Sequence, residues 1–177
     1  MQQIADSLSC SVNKVKYWMV KYGIKRRSIS EAIYIINNPN GDPFNFRLPK
    51  TFKEAKLFGL GLGLYWGEGT KANPHAIRLG NTDPRLLKKF IEFLITFFRI
   101  SKDDLMFGLQ LFTDINVEKA KRFWMHEVGT KPSQFYKPTI TISGSIGTYR
   151  KKSEYGVLTV IYHNRKLRDL LISLLPT

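Results

Sequence analysis

Glu68 is the side chain best placed to do chemistry, because it is a carboxylate arriving where a helix should end. It closes the stretch GLGLGLYWGEG at residues 59–69. Thr51 followed by Glu54 reads as a capping box, and the apolar run behind it continues the helix to about Trp66. Each interior glycine costs a helix about 1 kcal/mol relative to alanine, so Gly59, Gly61 and Gly63 together forfeit about 3 kcal/mol unless something compensates. Gly59, Gly63 and Gly67 recur every fourth residue and share one face, where missing side chains let a second helix approach backbone to backbone. A carboxylate at the negative end of the helix macrodipole is locally unfavourable, and a bound metal cation would relieve that conflict. The stretch is not a P-loop, since Gly69 is followed by Thr70-Lys71 in the wrong order. Nor does the apolar segment 57–66 reach the ~20 residues that a membrane span requires.

The elements that must position this carboxylate belong to a strongly basic chain. Lys plus Arg number 28 against 14 acidic residues, a net charge of +14 over 177 residues. Such a field draws polyanions by counterion release. The single cysteine, Cys10, excludes an intramolecular disulfide and a cysteine-rich zinc site. His75, His126 and His163 make no ligand spacing and read as surface or half-buried histidines. No signal or transit peptide is visible, which makes the cytoplasm, near the nucleoid in a bacterial or archaeal cell, the expected compartment, with no membrane partner.

Residues 1–36 form a first, all-helical unit with the layout of a helix-turn-helix. Ile4, Ala5, Leu8, Cys10, Val15 and Trp18 are its expected core, and Ser11 the N-cap of its second helix. The polar side of that helix carries Asn13, Lys14, Tyr17 and Lys21, types able to reach base edges or phosphates. Lys25, Arg26 and Arg27 follow Gly23 and are expected against backbone phosphate. Two packed helices of this kind also serve as docking units. Residues 28–37 read as a third helix and 37–50 as a linker, in which Phe44, Phe46 and Leu48 pin the chain to the next domain.

Beyond Gly69, residues 70–72 and 75–81 read as a hairpin turning at Asn73-Pro74. Asp83-Pro84 caps a helix to about Arg99. Residues 105–111 alternate as a strand. Asn116 opens an amphipathic helix that Gly129 ends. Strands follow at about 135–143 and 156–163, and Asn164 caps a last helix reaching Leu175. Thr139, Thr141 and Ser143 alternate with Ile140 and Ile142, giving a polar and an apolar face. Arg150, Lys151 and Lys152 occupy the connection between the two strands. The fold class is α+β.

Residues 62–69, LGLYWGEG, resemble the signature of the LAGLIDADG homing endonucleases. Gly63 and Gly67 match the small packing positions, Leu64 an apolar position, Glu68 the metal-binding acid and Gly69 the terminal glycine. Gly61, Leu62 and Trp66 depart from the family pattern. The resemblance implies that residues 51–177 form an αββαββα core, here with an extra helix, whose sheet lies as a saddle over double-stranded DNA. It implies a homodimer, since one signature copy supplies one carboxylate, with Gly59, Gly63 and Gly67 at the interface. It also implies a divalent metal, Mg²⁺, held by Glu68 and the Gly67 carbonyl, and metal-dependent cleavage of both strands. Lys71, Arg78 or Lys137 is the cation expected to offset phosphate charge; Lys71 and Arg78 count with Arg150, Lys151 and Lys152 as DNA contacts. The competing reading is a transcription regulator that keeps such a scaffold without cleavage. Trp66 and the N-terminal head favour it, whereas the retained Gly-Glu-Gly favours the enzyme.

Overall fold

Side-chain oxygens set the helix starts along the chain. Ser11 accepts the Lys14 N–H, Ser28 that of Glu31, Asp83 that of Arg85, Asn116 that of Lys119 and Asn164 that of Leu167. Each satisfies a backbone donor that the first turn leaves without a partner. The computed structural model describes residues 1–143 and 153–176, so Arg150, Lys151 and Lys152 lie outside the described residues. The chain divides into two compact units, Met1–Pro43 and Phe44–Thr177.

The first unit holds α1 (Gln2–Ser7), α2 (Val12–Lys21) and α3 (Ile29–Asn37). Its core is thinner than the sequence suggests. Ala5 and Val15 are buried, but Ile4, Leu8 and Trp18 are exposed and Cys10 is half-buried. Helices of six and ten residues are too short to enclose the larger side chains, which lie at the rim instead of between them.

The second unit is α+β, with α4 (Phe52–Glu68), β1 (Ile77–Asn81), α5 (Pro84–Phe98), β2 (Met106–Phe112), α6 (Val117–Val128), β3 (Thr139–Thr141), β4 (Val157–Tyr162) and α7 (Arg165–Ser173). Residues 44–50 belong to it and not to a linker. The Asn45 and Arg47 N–H groups donate to the Phe98 and Phe97 carbonyls at 2.8 and 2.9 Å, and Phe46 stacks on Phe98 at 5.3 Å. Leu48 does not join them and stays exposed.

The four-stranded sheet has the order β1-β4-β2-β3. It is mixed: β4 pairs antiparallel with β1 and β2, and β3 runs parallel to β2. The parallel pair follows from α6, which carries the chain back over the sheet between β2 and β3. One face supplies Ile77, Leu79, Phe107, Leu109, Leu158 and Val160 to a core shared with Tyr65 of α4, the α5 phenylalanines, Trp124 of α6 and Leu167 of α7. The other face presents Arg78, Gly80, Met106, Gly108, Gln110, Val157 and Thr159, all half-buried or exposed.

Three strand expectations need correction. The hairpin before β1 is reduced to one antiparallel bridge, Gly69 with Leu79, because α4 runs on to Glu68 and consumes the residues that the first strand needed. The expected strand at 135–143 shrinks to Thr139–Thr141, preceded by a 3₁₀ turn and a lone bridge between Phe135 and Phe107. Ile140 and Ile142 are exposed, so their alternation with threonine does not mark a buried face.

Candidate functional site

The glycine-rich helix α4 presents two glycine sets to different surroundings. A Cβ on Gly61 would lie 2.1 Å from Cγ of Phe93, so only glycine lets α4 meet α5 at this point. Phe93 is itself fully buried and packed against Phe58, Phe90, Phe97 and Phe98. One turn on, Tyr65 stacks on Phe90 at 6.1 Å. Gly59, Gly63 and Gly67 lie on the other side, where an added Cβ would meet nothing within 4 Å. Phe52, Leu60 and Trp66 share that exposed side, at 78%, 47% and 56% exposure. The close intramolecular contact at Gly61 was not singled out from the sequence. Its signal is positional: a residue two places from a helical stripe points some 200° around the helix, toward the core.

Thr51 caps α4 by accepting the Glu54 N–H at 3.2 Å. The reciprocal half of a capping box is diverted. The Glu54 carboxylate takes both terminal nitrogens of Arg47, at 2.7 and 3.1 Å, and the Lys50 N–H at 2.7 Å.

At the other end, Gly69 leaves the helix in an extended conformation, its N–H donating to the Tyr65 carbonyl at 2.9 Å. A Cβ there would lie 2.4 Å from the Tyr65 ring, which accounts for the glycine after Glu68. Gly69 then bridges Leu79, and the Thr70 N–H donates to the Arg78 carbonyl at 2.9 Å. The backbone beside Glu68 is thereby tied to the edge of the sheet while its side chain is exposed. Lys71 folds back so that its ammonium donates to the Trp66 carbonyl, and the Arg168 guanidinium donates to the Lys71 carbonyl. The Tyr65 hydroxyl is buried without a hydrogen-bond partner among the described residues, and burial pushes its pKa up against the opposing effect of Arg168.

Gly67, Glu68 and Lys71 thus gather at the end of α4, and the Arg78 backbone joins them through Thr70 while its side chain lies on the open face of the sheet. The cation at the negative helix end, which the sequence suggests would be a metal, is in part the Lys71 ammonium. Among the described residues no three His, Cys, Asp or Glu side chains gather as a metal site. Glu68 and the Gly67 carbonyl are hard oxygen donors of the kind Mg²⁺ accepts, but one chain offers too few of them.

The face of the sheet turned away from the helices carries a second cluster. The register pairs Arg78 with Ile161 and Ile161 with Met106. Ile161 is 5% exposed yet stands outside the main core, on this opposite face. Just beyond it the Tyr136 hydroxyl meets Nε2 of His163 at 2.8 Å. Partial burial, and then the Arg78 charge, hold the His163 imidazole below its usual pKa. The sequence reading missed Tyr136 and set His163 aside, since the two are 27 residues apart and meet through tertiary pairing, the Phe135–Phe107 bridge on one side of β2 and the β2–β4 ladder on the other.

In the first unit, Asn13, Lys14, Tyr17 and Lys21 are all exposed on α2. The Lys21 ammonium lies over the Trp18 ring at 4.8 Å and the Tyr17 ring at 5.9 Å, a cation–π arrangement that orients it. Trp18 in turn stacks on Tyr22 at 5.6 Å. Gly23 turns the chain at φ +64°, and Lys25, Arg26 and Arg27 follow it, exposed. No protein-family model, curated protein or solved structure matches the chain. Among the described residues no helix is long and apolar enough to cross a membrane.

Proposed function

We propose that this chain is a site-specific DNA-binding protein of LAGLIDADG-like fold that cuts both strands of a duplex as a metal-dependent homodimer. The observation that carries the reading is the open side of α4, where Gly59, Gly63 and Gly67 lie beside exposed Phe52, Leu60 and Trp66 and lead to an exposed Glu68. A helix side this apolar gains by burial, and the glycines suit it to a second copy of itself across a two-fold axis. That pairing would bring two Glu68 carboxylates and two Gly67 carbonyls together. A Mg²⁺ ion held there would supply Lewis-acid polarisation of a phosphate and an activated water. The remaining work falls to the chain: Arg78 and the polar sheet face hold phosphates, while the α2 side chains read bases.

One observation favours the non-catalytic regulator. The Lys71 ammonium already satisfies the Trp66 carbonyl, so the helix end has a cation without metal. Cleavage of a randomised duplex library with Mg²⁺ or chelator decides between them. Glu68→Gln is expected to lose cleavage by orders of magnitude and keep its affinity. A wild type that binds a selected duplex tightly in Mg²⁺ and Mn²⁺ and never cuts it leaves the regulator standing.

A further inference from the structure

Arg78 is a half-buried cation with no ion-pair partner among the described residues. Its Nε is shielded from solvent and has no hydrogen-bond partner among them. A buried Nε–H without an acceptor is costly, and an arriving anion that accepts from it recovers that cost through a charge-assisted hydrogen bond. Two residues on from Ile161, the register partner of Arg78, His163 pairs with Tyr136 through a hydrogen bond that can run in either direction.

We propose that Arg78, Tyr136 and His163 form a phosphodiester-binding site on the open face of the sheet, and that filling it takes up one proton at His163. The proposal rests on the DNA reading above and adds to it a place where backbone phosphate is held and a pH dependence of binding.

The proton follows from the hydrogen bond. With His163 neutral and Nε2 bare, the Tyr136 hydroxyl donates to Nε2 and is spent. Once Nε2 is protonated it donates to the Tyr136 oxygen instead. The hydroxyl hydrogen is then free to turn toward a phosphate oxygen, and a second positive charge faces the anion. In the free protein Arg78 is the charged group that acts on His163, and it opposes this protonation. A bound phosphodiester offsets the Arg78 charge and so favours the imidazolium. Affinity therefore rises as pH falls through the interval between the bound-state and free-state pKa values, approaching about tenfold per pH unit for one linked proton.

The test has two arms on the full chain. In the first, the His163 imidazole is titrated by NMR with and without inorganic phosphate. The expected result is a pKa that rises with phosphate in the wild type and does not in Arg78→Gln; an imidazole indifferent to phosphate overturns the site. In the second, affinity for a mixed-sequence duplex is measured from pH 5.5 to 8 at constant ionic strength. The wild type should tighten toward low pH, with the slope lost in the exposed-site variant His163→Gln and reduced in Tyr136→Phe. A duplex bound by wild type and His163→Gln with the same pH slope overturns the proposal and leaves the DNA reading intact. A wild type that shows the phosphate response but binds no duplex overturns the DNA reading and the site's role in it.

Discussion

The Arg47 guanidinium grips both oxygens of Glu54, and with the Lys50 N–H this draws the Glu54 pKa from 4.5 down to about 2, the Arg47 hydrogen bonds being the largest cause. A depressed carboxylate stabilises the fold above its unfolded-state pKa and loses that contribution as pH falls toward the folded-state value. Thermal unfolding followed from pH 5 to 2 should therefore show the wild type losing stability through that window more steeply than Glu54→Gln, which has no proton to take up there. Equal slopes would mean the pair is not held in solution. Glu54 was legible as an N-terminal helix residue because capping has a fixed spacing. Its partner was not, because Arg47 precedes the helix and meets Glu54 only after residues 44–47 bond to the end of α5.

At the scale of elements, α4 separates a glycine required for packing within the chain from glycines that, within one chain, only weaken the helix. Gly61→Ala would drive a methyl into the Phe93 ring, and overpacking of this kind costs about 1–3 kcal/mol. Gly59→Ala adds a methyl that meets nothing and should gain up to about 1 kcal/mol in helix propensity. Urea denaturation of both variants checks this pair: the midpoint should fall for the first and rise for the second. Helix existence was readable here because caps and apolar periodicity are local. The extent of β3 and its covered side were not, since its partner β2 lies a whole helix away and alternation of threonine with isoleucine says nothing about which side is covered. On α2 the sequence placed the basic face correctly but overfilled the core, because periodicity ranks faces without measuring how much two short helices enclose. Replacing Asn13, Lys14 and Tyr17 together by alanine should relax sequence choice, at about 1–3 kcal/mol per lost base contact. Replacing Lys25, Arg26 and Arg27 should weaken binding to every duplex and flatten its salt dependence. Binding assays across salt and site variants separate the two, and unaltered binding in both would make the first unit a docking module.

The whole molecule is where the charge and the open α4 face have to be reconciled. A net charge of +14 keeps two free copies apart at low salt, whereas the α4 side rewards their meeting. On the proposed function, DNA would resolve the conflict, since a duplex would neutralise the charge that opposes association and present two strands to a two-fold pair. Dimerisation should accordingly strengthen with salt in the free protein, as screening shortens the reach of like-charge repulsion, and strengthen again on a duplex. Gly63→Leu sets a side chain at the centre of the exposed glycine stripe, where this chain has ample room and a facing helix would have none. The variant should therefore fold normally, match or exceed the wild type in urea denaturation at low salt, where both are single chains, and scatter light as one chain at salt concentrations where the wild type scatters as two. Monomeric mass for the wild type at every salt concentration, with and without duplex, would remove the shared Glu68 pair and with it the case for cutting both strands. Normal dimers of Gly63→Leu would place the two-fold contact elsewhere on the surface.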